Sequence, residues 1–190
     1  MSNKYIYVLT LVISLIMGAV FSGCSMFIPN AGLDDFPIVE SGFASEPRIS
    51  QQRITITFGK KKIVLIGVIE QKSEIIKIVG LTDFGKRLLL IEYDGEHLKQ
   101  EIEPMLAEYF SGRDILLHYQ MVFASDESLQ KAIAASSWIL KSFSGLRKFA
   151  FRGKLKYTAS IRRKDGLIYE ADVCNRTAGY CLKFEKLSIE

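Results

Sequence analysis

RITITFGKKKIVLIGVIEQKSEIIKIVGLTDFGKRLLLIEYDGEHLKQEIE, residues 53–103, is a series of short β-branched and aliphatic runs, each closed by a turn signal. Ile54, Ile56 and Phe58 alternate with Arg53, Thr55 and Thr57, the period of a half-buried strand. Gly59-Lys60, Gln71-Lys72-Ser73, Asp83-Phe84-Gly85 and Asp94-Gly95 then separate further strand-like runs. Asp94-Gly95 is a strong hairpin signal, because a two-residue type I′ loop needs positive φ at both central positions. A loop of those two residues sets Tyr93 opposite Glu96 and Ile91 opposite Leu98. Thr82 to Lys86 fits a three-residue loop with Gly85 left-handed. The stretch predicts a β-meander of about five strands.

Several of these strands are apolar on both faces. Ile63, Leu65 and Ile69 lie on one side, and Val64, Ile66 and Val68 on the other. An open antiparallel sheet with one wet face would alternate cleanly. Both faces therefore need a cover: helices, lipid, or the opposite wall of a curved sheet.

Upstream, residues 1–23 read as a signal segment, with one charge at Lys4, an apolar core from Tyr5 to Val20, and small residues before a cysteine. Val20-Phe21-Ser22-Gly23-Cys24 resembles a bacterial lipobox, with Cys24 as the lipidated first residue of the mature chain. Phe21 stands where leucine is usual. Ser25 follows where inner-membrane retention usually has aspartate, so the resemblance implies outer-membrane sorting. Two or three acyl chains hold a protein stably on a membrane, whereas one binds marginally. Residues 24–47 read as a tether, carrying Pro29, Pro37 and two glycines without a clear period. Leu33, Phe36, Ile38, Val39 and Phe43 are apolar for a linker, so part of the tether is expected to pack on the single domain of residues 48–190. The whole chain carries a net charge of +4, and removal of Lys4 lowers that only slightly. So small a balance argues against a nucleic-acid partner.

Downstream of the meander the period changes. Pro104 sits at a helix start behind Glu101 and Glu103, and Met105, Leu106, Tyr109 and Phe110 recur at helical spacing before Gly112. Asp114 reads as an N-cap for Ile115 to Phe123, a run that suits a helix or a buried strand equally. Another helix is expected from Ser125 or Asp126 to about Ser136. Strands return afterwards. Lys164-Asp165-Gly166 reads as a three-residue loop that pairs Arg163 with Leu167, Ile161 with Tyr169, Ala159 with Ala171 and Tyr157 with Val173. A turn near Arg176–Gly179 pairs Val173 with Leu182, Ala171 with Phe184, Asp172 with Lys183 and Cys174 with Cys181. Both registers put an apolar set on one face, as burial requires.

Residues suited to catalysis are few. His97 and His118 are the two histidines, and neither stands at a metal-ligand spacing. His97 follows a turn and reads as solvated; His118 lies in an apolar run and reads as a core histidine, with a hydrolytic base as the alternative. No phosphate loop, dinucleotide fingerprint or Gly-x-Ser-x-Gly elbow occurs, and no metal or cofactor is expected. Glu101 and Glu103 could form a carboxylate pair, but a charged helix start is the simpler reading. Cys174 and Cys181 face each other across a hairpin, either as a disulfide or as two small hydrophobes. The basic clusters Lys60–Lys62, Arg147–Lys156 and Arg162–Lys164 read as strand-edge and turn charges, with anionic headgroups as the alternative partner.

Leu81-Thr82-Asp83-Phe84-Gly85-Lys86-Arg87-Leu88, Tyr93-Asp94-Gly95, and Asn175-Arg176-Thr177-Ala178-Gly179-Tyr180 with Leu182 carry a family likeness. Together with the lipobox and the meander they resemble the LolA/LolB class of periplasmic lipoprotein carriers. More narrowly, the chain is similar to the lipoproteins of that superfamily found beside aryl-polyene lipid biosynthesis enzymes. The resemblance implies an α+β fold: an incomplete antiparallel β-barrel, a strongly curved sheet with helices closing its concave face around an apolar cavity. It implies a non-enzymatic lipid or lipoprotein carrier or acceptor, lipid-anchored at the outer membrane and facing the periplasm. Acyl-chain or lipoprotein cargo, and a periplasmic carrier as partner, come with it. Candidate cavity-lining residues are Ile56, Leu65, Ile78, Leu90, Leu106, Tyr109 and Phe110. In LolB an exposed leucine in a Pro-Leu-Gly hairpin loop is needed to place lipoproteins in the membrane. The matching position here is Phe84, the candidate membrane contact, although Asp83 replaces the proline. The alternative is a structural or assembly lipoprotein with a protein partner and no lipid cargo.

Overall fold

The computed structural model describes residues 35–40, 48–72 and 75–187. Five strands follow one another: β1 (Arg48–Phe58), β2 (Lys61–Gln71), β3 (Ile76–Leu81), β4 (Arg87–Tyr93) and β5 (Leu98–Ile102). This is the meander expected from residues 53–103, extended at its start. Three helices come next: α1 (Pro104–Ala107), α2 (Gly112–Phe123) and α3 (Asp126–Ile133). Five more strands complete the chain: β6 (Trp138–Phe143), β7 (Leu146–Phe151), β8 (Lys154–Lys164), β9 (Leu167–Asn175) and β10 (Tyr180–Lys186). All ten form one antiparallel sheet in the order β5-β4-β3-β2-β1-β10-β9-β8-β7-β6, joined at the centre by β1 and β10 and unclosed at β5 and β6.

The long apolar run after Gly112 resolves as helix because its first turn is capped. Ser111, not Asp114, is the N-cap. Its hydroxyl accepts from the Asp114 amide, and the Asp114 carboxylate accepts from the Ser111 amide in return. Every residue from Ile115 to Val122 is buried, so this helix is covered on all sides. It touches β4 and β5 on one side and β8 and β9 on the other. In a flat sheet β4 and β9 would stand about 24 Å apart, five spacings of about 4.8 Å, while a helix is about 10–12 Å wide. The sheet therefore bends around α2. Ile54, Ile56, Leu65, Ile69, Ile78 and Ile91 from one half, and Phe149, Tyr157, Ala159, Val173, Leu182 and Phe184 from the other, meet the helix in one apolar core.

Two registers differ from the sequence reading. Tyr93 pairs with Leu98 and Ile91 with Gln100, so the β4–β5 loop has four residues rather than two. Asp94 is the reason: its carboxylate accepts the amides of Glu96 and His97 at 2.9 and 2.7 Å and builds a wider turn. At β8–β9, Lys164 pairs with Leu167 across Asp165 (φ 52°) and Gly166 (φ 76°), a two-residue loop, and a bulge at Arg162/Arg163 absorbs the difference. Ile161 consequently faces Ala171, Ala159 faces Val173 and Tyr157 faces Asn175. The shift is two residues, so the same side chains still point inward. The β9–β10 register is as the sequence predicts, with Val173 on Leu182 and Asp172 on Lys183. The Thr82–Lys86 loop also follows expectation, with Gly85 at φ 77°.

Candidate functional site

The antiparallel register gives the sheet two distinct ends. Gly59-Lys60 and the Phe84 loop lie at one; the start of β1, the end of β10 and the β8–β9 loop lie at the other. At the first end the Phe84 ring is 100 % exposed. Its loop is nevertheless built: the Thr82 amide donates to the Lys86 carbonyl, the Gly85 amide to the Thr82 carbonyl, and the Lys86 amide to the Thr82 hydroxyl at 3.1 Å. The ring contributes nothing to this turn. Neither Glu101 nor Glu103 joins it in a carboxylate pair; Glu101 pairs with Arg87 at 2.8 Å and Glu103 with Lys86 at 3.4 Å.

Of the seven cavity-lining candidates, Ile56, Leu65, Ile78, Leu106 and Phe110 are buried within the core. Leu90 is not on their side. It pairs with Val79 and Glu101, while Ile91 pairs with Ile78, so Ile91 holds the inward position the sequence reading assigned to Leu90. A period-two pattern cannot choose between neighbours when both are aliphatic. Tyr109 is half-buried, its ring 4.7 Å from that of Phe58 and its hydroxyl accepting from Lys61 Nζ at 3.2 Å. None of the seven borders the large open groove of the described residues.

That groove, about 830 Å³, opens at the end opposite Phe84. Ile49, Tyr119, Phe123, Ile168 and Tyr169 form its apolar bed, and Arg163 and Lys186 also border it. Gln52 lies at its base, buried, with a side-chain oxygen that has no hydrogen-bond partner among the described residues. The volume falls in the range of small-ligand sites.

A segment from the expected tether occupies the interior. Phe36 is 0 % exposed and packs edge-on against Trp138 and Phe149, at 4.9 and 5.7 Å between ring centroids. Val39 is buried as well, and the Gln120 side chain grips its backbone: the Val39 amide donates to Gln120 Oε1 at 3.0 Å and Gln120 Nε2 donates to the Val39 carbonyl at 2.9 Å. Arg113 donates to the Phe36 carbonyl, and Trp138 Nε1 to the Asp35 carbonyl at 3.2 Å. Residues 35–40 thus run along α2 from Arg113 to Gln120. They join no strand. Burial of the two side chains stabilises the segment by about 1.5–3 kcal/mol each, and four hydrogen bonds add about 1 kcal/mol each. Ordering six residues costs about 1–2 kcal/mol apiece. The gains and the ordering cost are of similar size.

His118 belongs to the same helix and is fully buried. The Asp114 carbonyl can only accept, so Nδ1 carries the proton and donates to it. Nε2 is then the acceptor for the Tyr180 hydroxyl at 3.0 Å. Burial pushes the imidazole down to about 4, although the Asp114 carbonyl and charge oppose the shift. The Tyr180 phenol is pushed up to about 12, again chiefly by burial. Asn175 Nδ2 donates to Tyr157 at 2.8 Å and completes a buried polar cluster. His97, by contrast, is exposed beside Asp94.

Arg147 departs from the edge-charge reading of its cluster. It is buried and caps the C-terminal end of α2, donating to the carbonyls of Met121, Val122 and Ala124 at 2.8, 2.9 and 2.8 Å and to the Asp126 carboxylate at 2.7 Å. No sequence spacing signals a helix cap supplied from a strand 25 residues downstream. Cys174 and Cys181 are joined by a disulfide across β9 and β10, their Cα atoms 4.1 Å apart. Cys24 lies outside the described residues. Among those residues no group of three potential ligands gathers for a metal ion, and no helix is long and apolar enough to cross a membrane.

A family model described as "Protein of unknown function (DUF3261)" matches residues 50–188. No curated protein matches the chain. Among solved structures, a domain from Vibrio parahaemolyticus assigned to outer-membrane lipoprotein sorting is similar at 8 % identity, over 77 % of this chain and 86 % of that one, with a TM-score of 0.43. A likeness that distant transfers no ligand, partner or activity to this chain.

Proposed function

The chain belongs to the DUF3261 family, and from that premise we propose that it is a non-enzymatic carrier or acceptor of acyl chains, belonging to a lipid or a lipoprotein. In this reading an acylated Cys24 anchors it at the inner leaflet of the outer membrane, and the domain faces the periplasm. In the same reading the sheet is a LolA/LolB-like incomplete barrel, with α2 as the cover of its concave side. The driving force is transfer of methylenes out of water, about 0.8 kcal/mol each.

The observation that carries the reading is Phe84. A fully exposed aromatic ring on an ordered loop costs hydration without adding to the core, and an aromatic side chain is well suited to the membrane interface. Vesicle flotation of the unacylated chain tests it. In that background Phe84→Glu should keep the native melting temperature and lose contact with vesicles of phosphatidylethanolamine and phosphatidylglycerol. Retained vesicle contact, or a domain destabilised by the change, would refute the role given to Phe84.

A second reading, an assembly lipoprotein with a protein partner, is favoured by the interior, where the candidate lining residues are packed against one another. Mass spectrometry of organic extracts from natively purified protein separates the two: co-purified acyl species support the carrier, and their absence supports the assembly role.

A further inference from the structure

A carrier needs room for an acyl chain, yet Ile56, Leu65, Ile78, Leu106 and Phe110 are closed into the core. Among the described residues, 35–40 put two side chains into the interior without belonging to the sheet or to a helix. We propose that this stretch is an autoinhibitory strap, that Phe36 and Val39 stand in for cargo in the empty carrier, and that an incoming acyl chain expels them. The inference rests on the carrier reading above and adds the regulation of its site.

Three features of the seat support it. Its walls, Trp138 and Phe149 around Phe36, are apolar and aromatic, suited to an alkyl chain as well as to a phenyl ring. Its fastenings to α2 are side-chain hydrogen bonds from Gln120 and Arg113. No ladder with a neighbouring strand has to be broken for the strap to leave. Finally, the strap runs toward the end where the groove opens: Gln120 is its last fastening, and Tyr119 and Phe123 of the same helical turn line the groove. A chain entering there would advance along α2 against the strap.

The test uses the full chain and cis-parinaric acid as the acyl probe, followed by its fluorescence. Val39→Cys places a thiol on the strap where a similar volume is kept, and its rate of maleimide labelling reports whether the strap is seated. Gln120→Ala removes both fastenings on Val39. The expected results are at least tenfold faster labelling at position 39 when the probe is bound, and roughly tenfold tighter probe binding by Gln120→Ala than by the native chain. Native circular dichroism and a cooperative melt in both variants make those readings interpretable. Probe binding with position 39 still protected, or equal affinity in Gln120→Ala, would overturn the strap and leave the carrier reading standing. No probe binding by either chain would remove the carrier reading and the strap together.

Discussion

Acidification puts a number on the buried cluster around His118. Its imidazole is fully enclosed and titrates near 4 in the folded protein, against an ordinary value of 6.5. Between those two values the unfolded chain binds a proton that the folded chain does not, so stability rises with pH across that window. The contribution is fully present above about pH 6.5, is lost as pH falls toward 4, and changes no further below it. The fall from 6.5 to about 4 corresponds to about 3 kcal/mol. Exposed carboxylates whose pKa values are lowered by lysines, Glu70, Glu92 and Glu185, also titrate in acid and must be subtracted. His118→Gln does this, because glutamine can donate to the Asp114 carbonyl and accept from Tyr180 without titrating. Urea unfolding of both proteins at pH 7.5, 6, 5 and 4 should show a stability difference that narrows by about 3 kcal/mol, or about 1.5 M in midpoint for a slope near 2 kcal/mol/M. A difference that stays constant over that range would refute the enclosed, neutral histidine and reopen His118 as a solvent-accessible base.

Arg147→Met should destabilise the domain by about 3–5 kcal/mol, since three carbonyls at the end of α2 lose their donor; Arg147→Lys should fall between, and equilibrium denaturation reads both. Paired replacement of Cys174 and Cys181 by serine should cost about 2–3 kcal/mol, the loop-closure value for so short a loop, and reductant should lower the native melting temperature but not that of the variant. Cys24→Ala should abolish lipidation and the membrane fractionation that depends on it, as read by mass spectrometry of the N-terminus and by sucrose-gradient separation of membranes.

Local chemistry by itself determined much of this protein. The alternation of Ile54, Ile56 and Phe58 and the turns that follow specify the meander, and the Cys174–Cys181 apposition follows from one turn and one buried face. Ser125 and the acids after it start α3 where the sequence places it. Each of these is settled by residues within a few positions of one another, so it is visible in the order of the chain. Where two local solutions compete, the tertiary structure chose. Asp94 could close a two-residue or a four-residue turn, Leu90 or Ile91 could point inward, and Ile115–Phe123 could be strand or helix. The decision in each case came from what the residue met across space: paired strands, or a trough that accepts a helix buried all round. The remaining features had little local signal, the apolar character of the tether around Phe36 and Val39 being the exception. Gln120 reads as an ordinary polar residue in an apolar run, Arg147 as one basic residue of several, and Phe36 as part of a tether. Their roles arise because a sheet bent around α2 leaves one flank of that helix and its last carbonyls without partners, and residues 81 and 25 positions away in sequence supply them.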